Sequence, residues 1–311
     1  MLKKNKSTFI VSFLLGIVFI ISAWSKYYPV EPFEFAIVKT GFIGWKASLI
    51  VARVIIAIEF TLGVLLLFSY RLKSTSKIVA AVLIIFTLQL IWSIINQGNT
   101  GDCGCFGELL PMTPLQAIIK NIVLLIAAIY LSFSKLESTF PFKRFGLFLL
   151  CFFLTFIFAL DPVDYTYSKT YLDKPFENFE LNVDTVYETQ IHEKIGIPKI
   201  DIRDQKLILA FLSSTCSHCK IAAKKLAVIH QMNPKIPFYF FINGNDEDIQ
   251  KFIEITGIKD IPNSKLNGET FVKLAGLHLP VIYYYNHGKI EKQVDYYTLE
   301  QYHIEDWLNE K

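Results

Sequence analysis

Apolar positions crowd the first half of the chain in long runs, whereas the second half alternates short apolar stretches with polar ones. A membrane span needs about 20 mostly apolar residues. Five segments reach or approach that length: Ser7–Ser25, Ala47–Tyr70, Ile78–Asn96, Thr113–Phe133 and Phe145–Leu160. The second is interrupted by Arg53 and Glu59, and the fourth by Lys120. The fifth rises only about 24 Å as a helix, slightly short of a hydrocarbon core, and Lys143 and Arg144 at its start can snorkel. Met1-Leu-Lys-Lys-Asn-Lys6 ahead of an apolar run has the outline of a signal peptide. Ser22-Ala-Trp24 is a poor cleavage site and the run is long, so the expectation is a retained helix.

The second half predicts alternating elements of an α/β unit. Lys206–Leu212 reads as a buried strand and Lys220–His230 as a helix. Pro237–Ile242 is a strand and Asp246–Thr256 a helix. Leu279–Tyr285 is a strand opened by proline. Asn286-His-Gly288 turns into Lys289–Val294, and Thr298–Asn309 closes as a helix.

Composition sharpens this division. The 311 residues are 52% hydrophobic but only 19% charged, where soluble domains carry roughly 25% charge. Disorder, a collagen-like fibre and a disulfide-stapled mini-protein are excluded. The overall charge of +3 hides a split, with net +8 over residues 1–160 and −5 over 161–311. The positive excess sits between apolar runs rather than on one face, which argues against nucleic-acid binding. It does mark topology. With the N-terminus inside, nine basic residues flank the inner ends of the spans, against three (Lys26, Lys39, Lys46) in the outer loops. Five spans then place both the 97–112 loop and the C-terminal domain outside, where disulfides persist.

Five cysteines lie along the chain. Cys151 falls mid-span and reads as an apolar filler. Cys216-Ser-His-Cys219 sits at a strand-to-helix turn, with Cys216 at the helix N-terminus. Helix dipole and unpaired N–H groups there favour a thiolate, and Cys219 returns to the same face to resolve a mixed disulfide. A zinc half-site is the competing reading, but a second ligand pair at zinc spacing is missing.

From about residue 165 to 311 the element order resembles the thioredoxin fold. In that family a cis-proline opens the strand facing the C-x-x-C pair, and Leu279-Pro280 stands in that place. The resemblance implies that Leu279 meets the substrate backbone. His218 resembles the histidine of oxidising Cys-Pro-His-Cys members, which favours the thiolate and a more oxidising disulfide. Two positions depart from the family. Thr215 replaces a common Trp, and Ala210 replaces the buried acid that shuttles protons in reducing members, which weighs against a general reductase.

Gly101-Asp-Cys103-Gly-Cys105-Phe-Gly107 follows the third apolar run. A C-x-C pair closes only in a tight ring, which Gly104 permits; strained disulfides of this kind tend to be labile, and the other readings are an inert staple of the loop or two unpaired thiols. Together with Gly16–Lys26, Glu59–Leu67 and Lys120-Asn121, this loop resembles the four-helix DoxX-like family, in particular its methylamine-utilisation MauE branch, over roughly residues 8–133. In that branch the membrane protein works beside a thioredoxin-like partner, MauD, in maturing a disulfide-rich extracytoplasmic enzyme. The resemblance implies redox maturation by two modules fused in one chain.

The expected architecture is an α-helical membrane bundle, four DoxX/MauE-like helices plus a fifth tethering helix, followed by an α/β thioredoxin-like domain. Residues 1–140 form the membrane redox domain, 141–161 the fifth helix, and 162–311 the extracytoplasmic domain. Arg53, Glu59 and Lys120 are costly in lipid and should face protein or water. Arg53 and Lys120 lie about 10 Å in from the outer face. Glu59 can pair with one of them, and two readings stay open: a buried structural ion pair, or cations that polarise a quinone carbonyl or stabilise a cysteine thiolate.

The expected function is thiol–disulfide exchange at the outer face of a bacterial cytoplasmic membrane. Cys216 and Cys219 would exchange with cysteine-containing proteins, and Cys103 and Cys105 would relay electrons to a further acceptor, a membrane quinone. No covalently bound cofactor or metal is expected. The alternative is a membrane-tethered metallochaperone or non-catalytic chaperone using Cys216 and Cys219 as soft-metal ligands.

Overall fold

The computed structural model describes residues 2–99, 112–134, 144–160, 179–180, 201–276 and 278–310. The chain divides into two compact units, Met1–Val163 and Asp164–Lys311.

The first unit contains α1 (Leu2–Tyr27), α2 (Glu31–Val38), α3 (Trp45–Leu67), α4 (Leu72–Gln97), α5 (Pro114–Ser132) and α6 (Phe145–Leu160). Four stretches are long and apolar enough to cross a membrane: Lys6–Tyr27, Trp45–Leu67, Leu72–Asn96 and Pro114–Ser132. Their outward faces expose Leu14, Ile85, Leu88, Val123 and Ile126, the residues that contact with lipid tails requires.

The fifth expected span is a shorter helix of 16 residues. It packs along α3, with the Phe153 ring stacked on Phe60 at 5.2 Å and Leu149 against Leu65 and Tyr70. Cys151 on α6 is exposed, so it does not fill a core, in contrast to the expectation. The sequence reading also missed α2. Pro32 opens this helix and Glu31 and Glu34 occupy its first turn, both favourable at a helix N-terminus. Phe33 and Ile37 join Ala52, Ile56 and Ala57 of α3 in one buried cluster.

The tightest contact in this unit runs between α1 and α3. A Cβ on Gly16 would lie 2.8 Å from the Gly63 carbonyl oxygen, and one on Gly63 would lie 2.7 Å from Ile20 Cγ1. Only glycine lets two backbones approach this closely, and such contacts replace the hydrophobic effect inside a bilayer. Ser12 Oγ donates to the Leu66 carbonyl at 2.6 Å in the same seam. These contacts fix an antiparallel register that brings the far end of α1 opposite the middle of α3.

The second unit is built on a six-stranded sheet: β1 (Phe179–Glu180), β2 (Lys206–Ser213), β3 (Phe238–Asn243), β4 (Asn263–Lys265), β5 (Val281–Asn286) and β6 (Lys289–Val294), in the order β1-β6-β5-β2-β3-β4. Helices α7 (Ser217–Met232), α8 (Asp246–Thr256), α9 (Gly268–Ala275) and α10 (Gln301–Asn309) complete it. β2 is central. It pairs parallel with β3 and antiparallel with β5, and it is buried on both faces, hence its unbroken apolar run. Leu207, Leu209 and Phe211 join Tyr239, Phe241 and Tyr283 in the core beneath Phe271 and Ala275 of α9. Their alternates Ile208, Ala210 and Leu212 are equally buried. A central strand running into a helix that carries C-x-x-C, with a parallel neighbour on one side and an antiparallel strand opened by a cis-proline on the other, is a thioredoxin-like fold.

Candidate active site

β2 delivers the chain at Ser213 to a tight turn. The Cys216 N–H donates to the Ser213 carbonyl at 3.2 Å, and the Cys216 carbonyl accepts from Lys220 N at 3.2 Å. Cys216 is therefore the N-cap of α7, with extended backbone. Its sulfur accepts the Cys219 N–H at 3.2 Å, one of the donors that a helix start leaves without an intrahelical partner.

The two thiols are unequal. Cys216 is half-exposed and Cys219 fully buried. Burial pushes the Cys219 thiol far above its ordinary range. Its hydrogen bond to Cys216 pushes the same way, and the Ser213 backbone only partly opposes them. Cys219 therefore stays protonated at neutral pH. Below its unfolded value of 9.0 it is a thiol in both folded and unfolded chains. Above that value the unfolded chain ionises while the folded one resists, so its contribution to stability is lost as pH rises. In the dithiol protein iodoacetamide at pH 7.5 should label Cys216 and spare Cys219 until the chain is denatured. Equal labelling of both in native protein, read by peptide mass, would contradict this order of reactivity.

His218 is exposed, with Nδ1 at 3.0 Å from the Tyr296 hydroxyl. That hydroxyl is held in place from below. Lys225 on α7 is buried and its ammonium donates to the carbonyls of Tyr296 at 2.6 Å and Tyr297 at 3.1 Å. The Tyr297 N–H donates to Asp295 Oδ1 at 2.9 Å. Burial raises the Asp295 carboxyl above its usual range, against the opposing pull of that N–H, Lys225 and His218. Asp295, Tyr296 and Lys225 were missed from sequence. The one available signal was a lysine on the apolar face of a short helix.

The Leu279–Pro280 peptide is cis. Because Val281 pairs with Phe211, this peptide lies beside the end of β2 that leads into Cys216. Leu279 is partly buried against the sheet core. Ala210 is fully buried between Phe240 and Ile282, so no acid occupies that place. Among the described residues no three His, Cys, Asp or Glu side chains gather as a metal site. Cys103 and Cys105 lie outside the described residues.

The charges of the membrane unit pair differently from the sequence expectation. Arg53 is fully buried and donates to Glu34 Oε1 of α2 at 2.6 Å and to the Leu49 carbonyl at 2.8 Å. Glu59 pairs with neither Arg53 nor Lys120. It accepts from Lys26 at 2.6 and 2.8 Å, and Lys26 also donates to Ser22 Oγ at 2.8 Å. Lys26, counted above as a loop charge, is thus buried at the end of α1, because the glycine seam carries that end across from Glu59. Glu59 and Lys120 share one cavity, which Arg53 does not line. Arg53 is therefore not placed to polarise a ligand there.

Residues 4–134 match the family described as methylamine utilisation protein MauE. The chain is also 31% identical over 306 residues to Protein TlpB of Flavobacterium psychrophilum, an alignment that covers 82% of this chain and 83% of that one. The chain belongs to the TlpB family. A secreted disulfide oxidoreductase of Mycobacterium tuberculosis, described as homologous to E. coli DsbE, is similar at 20% identity over 33% of this chain and 81% of its own, with a TM-score of 0.27. This TlpB-family chain is a multi-pass membrane protein in which a MauE domain precedes a thioredoxin-like unit. In the MauE domain the segments quoted from sequence, Gly16–Lys26 and Glu59–Leu67, face each other through Gly16 with Gly63 and Lys26 with Glu59.

Proposed function

We propose that this protein is a membrane-bound thiol–disulfide oxidoreductase that oxidises the thiols of proteins outside the cytoplasmic membrane. The observation that carries this reading is the unequal thiol pair at the start of α7, a half-exposed Cys216 capping the helix above a buried, protonated Cys219. In its disulfide form the pair is attacked by a substrate thiolate at Cys216, and Cys219 leaves as the thiol. A second substrate thiol then attacks the mixed disulfide, so the substrate gains a disulfide and the Cys216–Cys219 pair gains two electrons and two protons.

Those electrons pass to Cys103 and Cys105 by the same exchange, and from there to a membrane quinone. His218, held by Tyr296, and the cis-peptide at Leu279–Pro280 support the exchange site. The distribution of basic residues supports an orientation with the N-terminus inside and the thioredoxin-like unit outside.

The test is the redox state of Cys216 and Cys219 in cells, trapped by acid quench and alkylation. In a Cys103→Ser/Cys105→Ser chain the pair should accumulate as dithiol. A pair as oxidised as in the unaltered chain refutes the relay.

A further inference from the structure

A cavity of about 460 Å³ lies within the membrane unit between α1, α2, α3, α4 and α5 and the turn after α2. Its volume is in the range of small-molecule sites, which are mainly apolar with a few convergent polar groups. Its walls are mostly apolar, and Phe19, Phe33, Phe42, Phe86 and Trp92 supply aromatic faces. Seven polar side chains also line it: Ser22 and Lys26 from α1, Thr40 from the turn after α2, Glu59 from α3, Gln89 from α4, and Lys120 and Asn121 from α5.

The Lys26–Glu59 pair is the informative feature. Both side chains are about 96% or more buried, with N···O of 2.6 Å. Taking two charges out of water costs several kcal/mol per ion, and apolar residues of similar volume would often stabilise a fold as well or better. A cavity for lipid tails has no use for such a pair. A charged headgroup would be desolvated between walls that are mostly apolar, which is costly for an ion. What fits is a neutral, flat, apolar molecule whose oxygens accept hydrogen bonds. Gln89 of α4 and Lys120 of α5 line it with donor groups, and the Phe33 and Phe86 rings flank the Lys26 ammonium at 5.4 Å each.

The position of the cavity adds a second argument. The connection that carries Cys103 and Cys105 leaves from the end of α4 and returns at the start of α5. Its two ends are tied together, since Asn99 Oδ1 accepts the Leu115 N–H at 3.0 Å. Thr113 and Gln116 close a reciprocal capping box there. Gln89 and Trp92 lie five to eight residues before the end of α4, and Lys120 six residues after Pro114. Helical rise puts these cavity walls roughly 8–12 Å from the roots of that connection.

We infer that this cavity binds the ring of a membrane quinone, with Gln89 and Lys120 donating to its carbonyl oxygens and the buried Lys26–Glu59 pair forming the polar wall beside them. The inference rests on the proposed oxidase reading, for which it names the acceptor site. In the reaction it serves, the Cys103 and Cys105 thiols form an S–S bond and release two electrons and two protons. The two quinone oxygens take them up, giving the quinol.

The test is photolabelling with an azido-quinone, using the full-length chain in phospholipid nanodiscs with Cys103, Cys105, Cys216 and Cys219 all changed to Ser. This chain has no exchange chemistry, so the result is separate from the fate of the oxidase reading. Label should fall on peptides 18–26 and 85–92 and be displaced by a short-chain menaquinone but not by dodecanol. In this background Ala36→Trp, which fills the cavity, and the double change Lys26→Met/Glu59→Leu, which removes both charges together, should each lower labelling at least tenfold. Label spread over the lipid-facing surfaces, displacement by dodecanol, or full labelling in both folded variants would overturn the inference. If either variant fails to elute as a folded species, peptide mapping and displacement on the parent chain decide the matter.

Discussion

A Cys216→Ser chain should lose thiol–disulfide exchange by about three orders of magnitude or more, as removal of a covalent nucleophile does in other enzymes. A Cys219→Ser chain should fail differently. It keeps the exposed sulfur at the N-cap of α7, which can still attack a disulfide already formed in a substrate protein and release that protein's other thiol, but the buried partner that resolves the mixed disulfide is gone. It should accumulate covalent complexes with substrate proteins, seen as high-mass bands on non-reducing gels that collapse on reduction. The asymmetry follows from burial, because only Cys216 presents its sulfur to solvent while Cys219 is covered. Trapping by Cys216→Ser and not by Cys219→Ser would reverse the assignment, and trapping by neither would remove the exchange role. The same gels identify the substrate proteins.

The second large effect concerns the membrane unit. Arg53→Met should destabilise it by about 3–5 kcal/mol, the cost of leaving a buried charge without its partner. Glu34 is nearly covered, so removing the guanidinium takes away a charged hydrogen bond that bulk water does not reach to restore. Arg53→Met combined with Glu34→Leu should recover most of the loss, because two apolar side chains leave no orphaned ion. Unfolding in mixed micelles of rising SDS content measures both variants. If single and double variants are equally impaired, the arginine matters through packing rather than charge. Exchange by Cys216 should survive in the double variant, which separates this structural pair from the redox chemistry.

The α/β unit was largely legible from sequence because its signals are local. A buried strand, a turn with Cys216 and Cys219, and an amphipathic helix follow one another within about two dozen residues. Their order carried the resemblance to the thioredoxin fold, and the structure puts β2 in the interior of the sheet. Even the cis-peptide at Leu279–Pro280 was readable, since proline is the residue for which that geometry is cheap. The supports of His218 were not, because Tyr296 lies 78 residues along the chain from it and reaches it only when β6 and α7 pack together.

In the membrane unit the run of apolar residues determined where the helices are, but not how they face each other. Apolar length says nothing about rotation around a helix axis. Lys26 near the end of a span looks like a loop charge, and Glu59 in mid-span looks like a partner for whichever cation lies nearest in sequence. The seam at Gly16 and Gly63 decides otherwise. It sets two backbones in contact, and from that register Lys26 meets Glu59 across 33 residues. The unanticipated α2 then supplies Glu34 to Arg53. Sequence by itself thus determined the two-part organisation, the membrane-spanning character and the C-x-x-C pair, all of which are written in local composition and spacing. Only the tertiary structure decided which charges pair and where a cavity opens, because both depend on close contacts between helices that are distant in the chain.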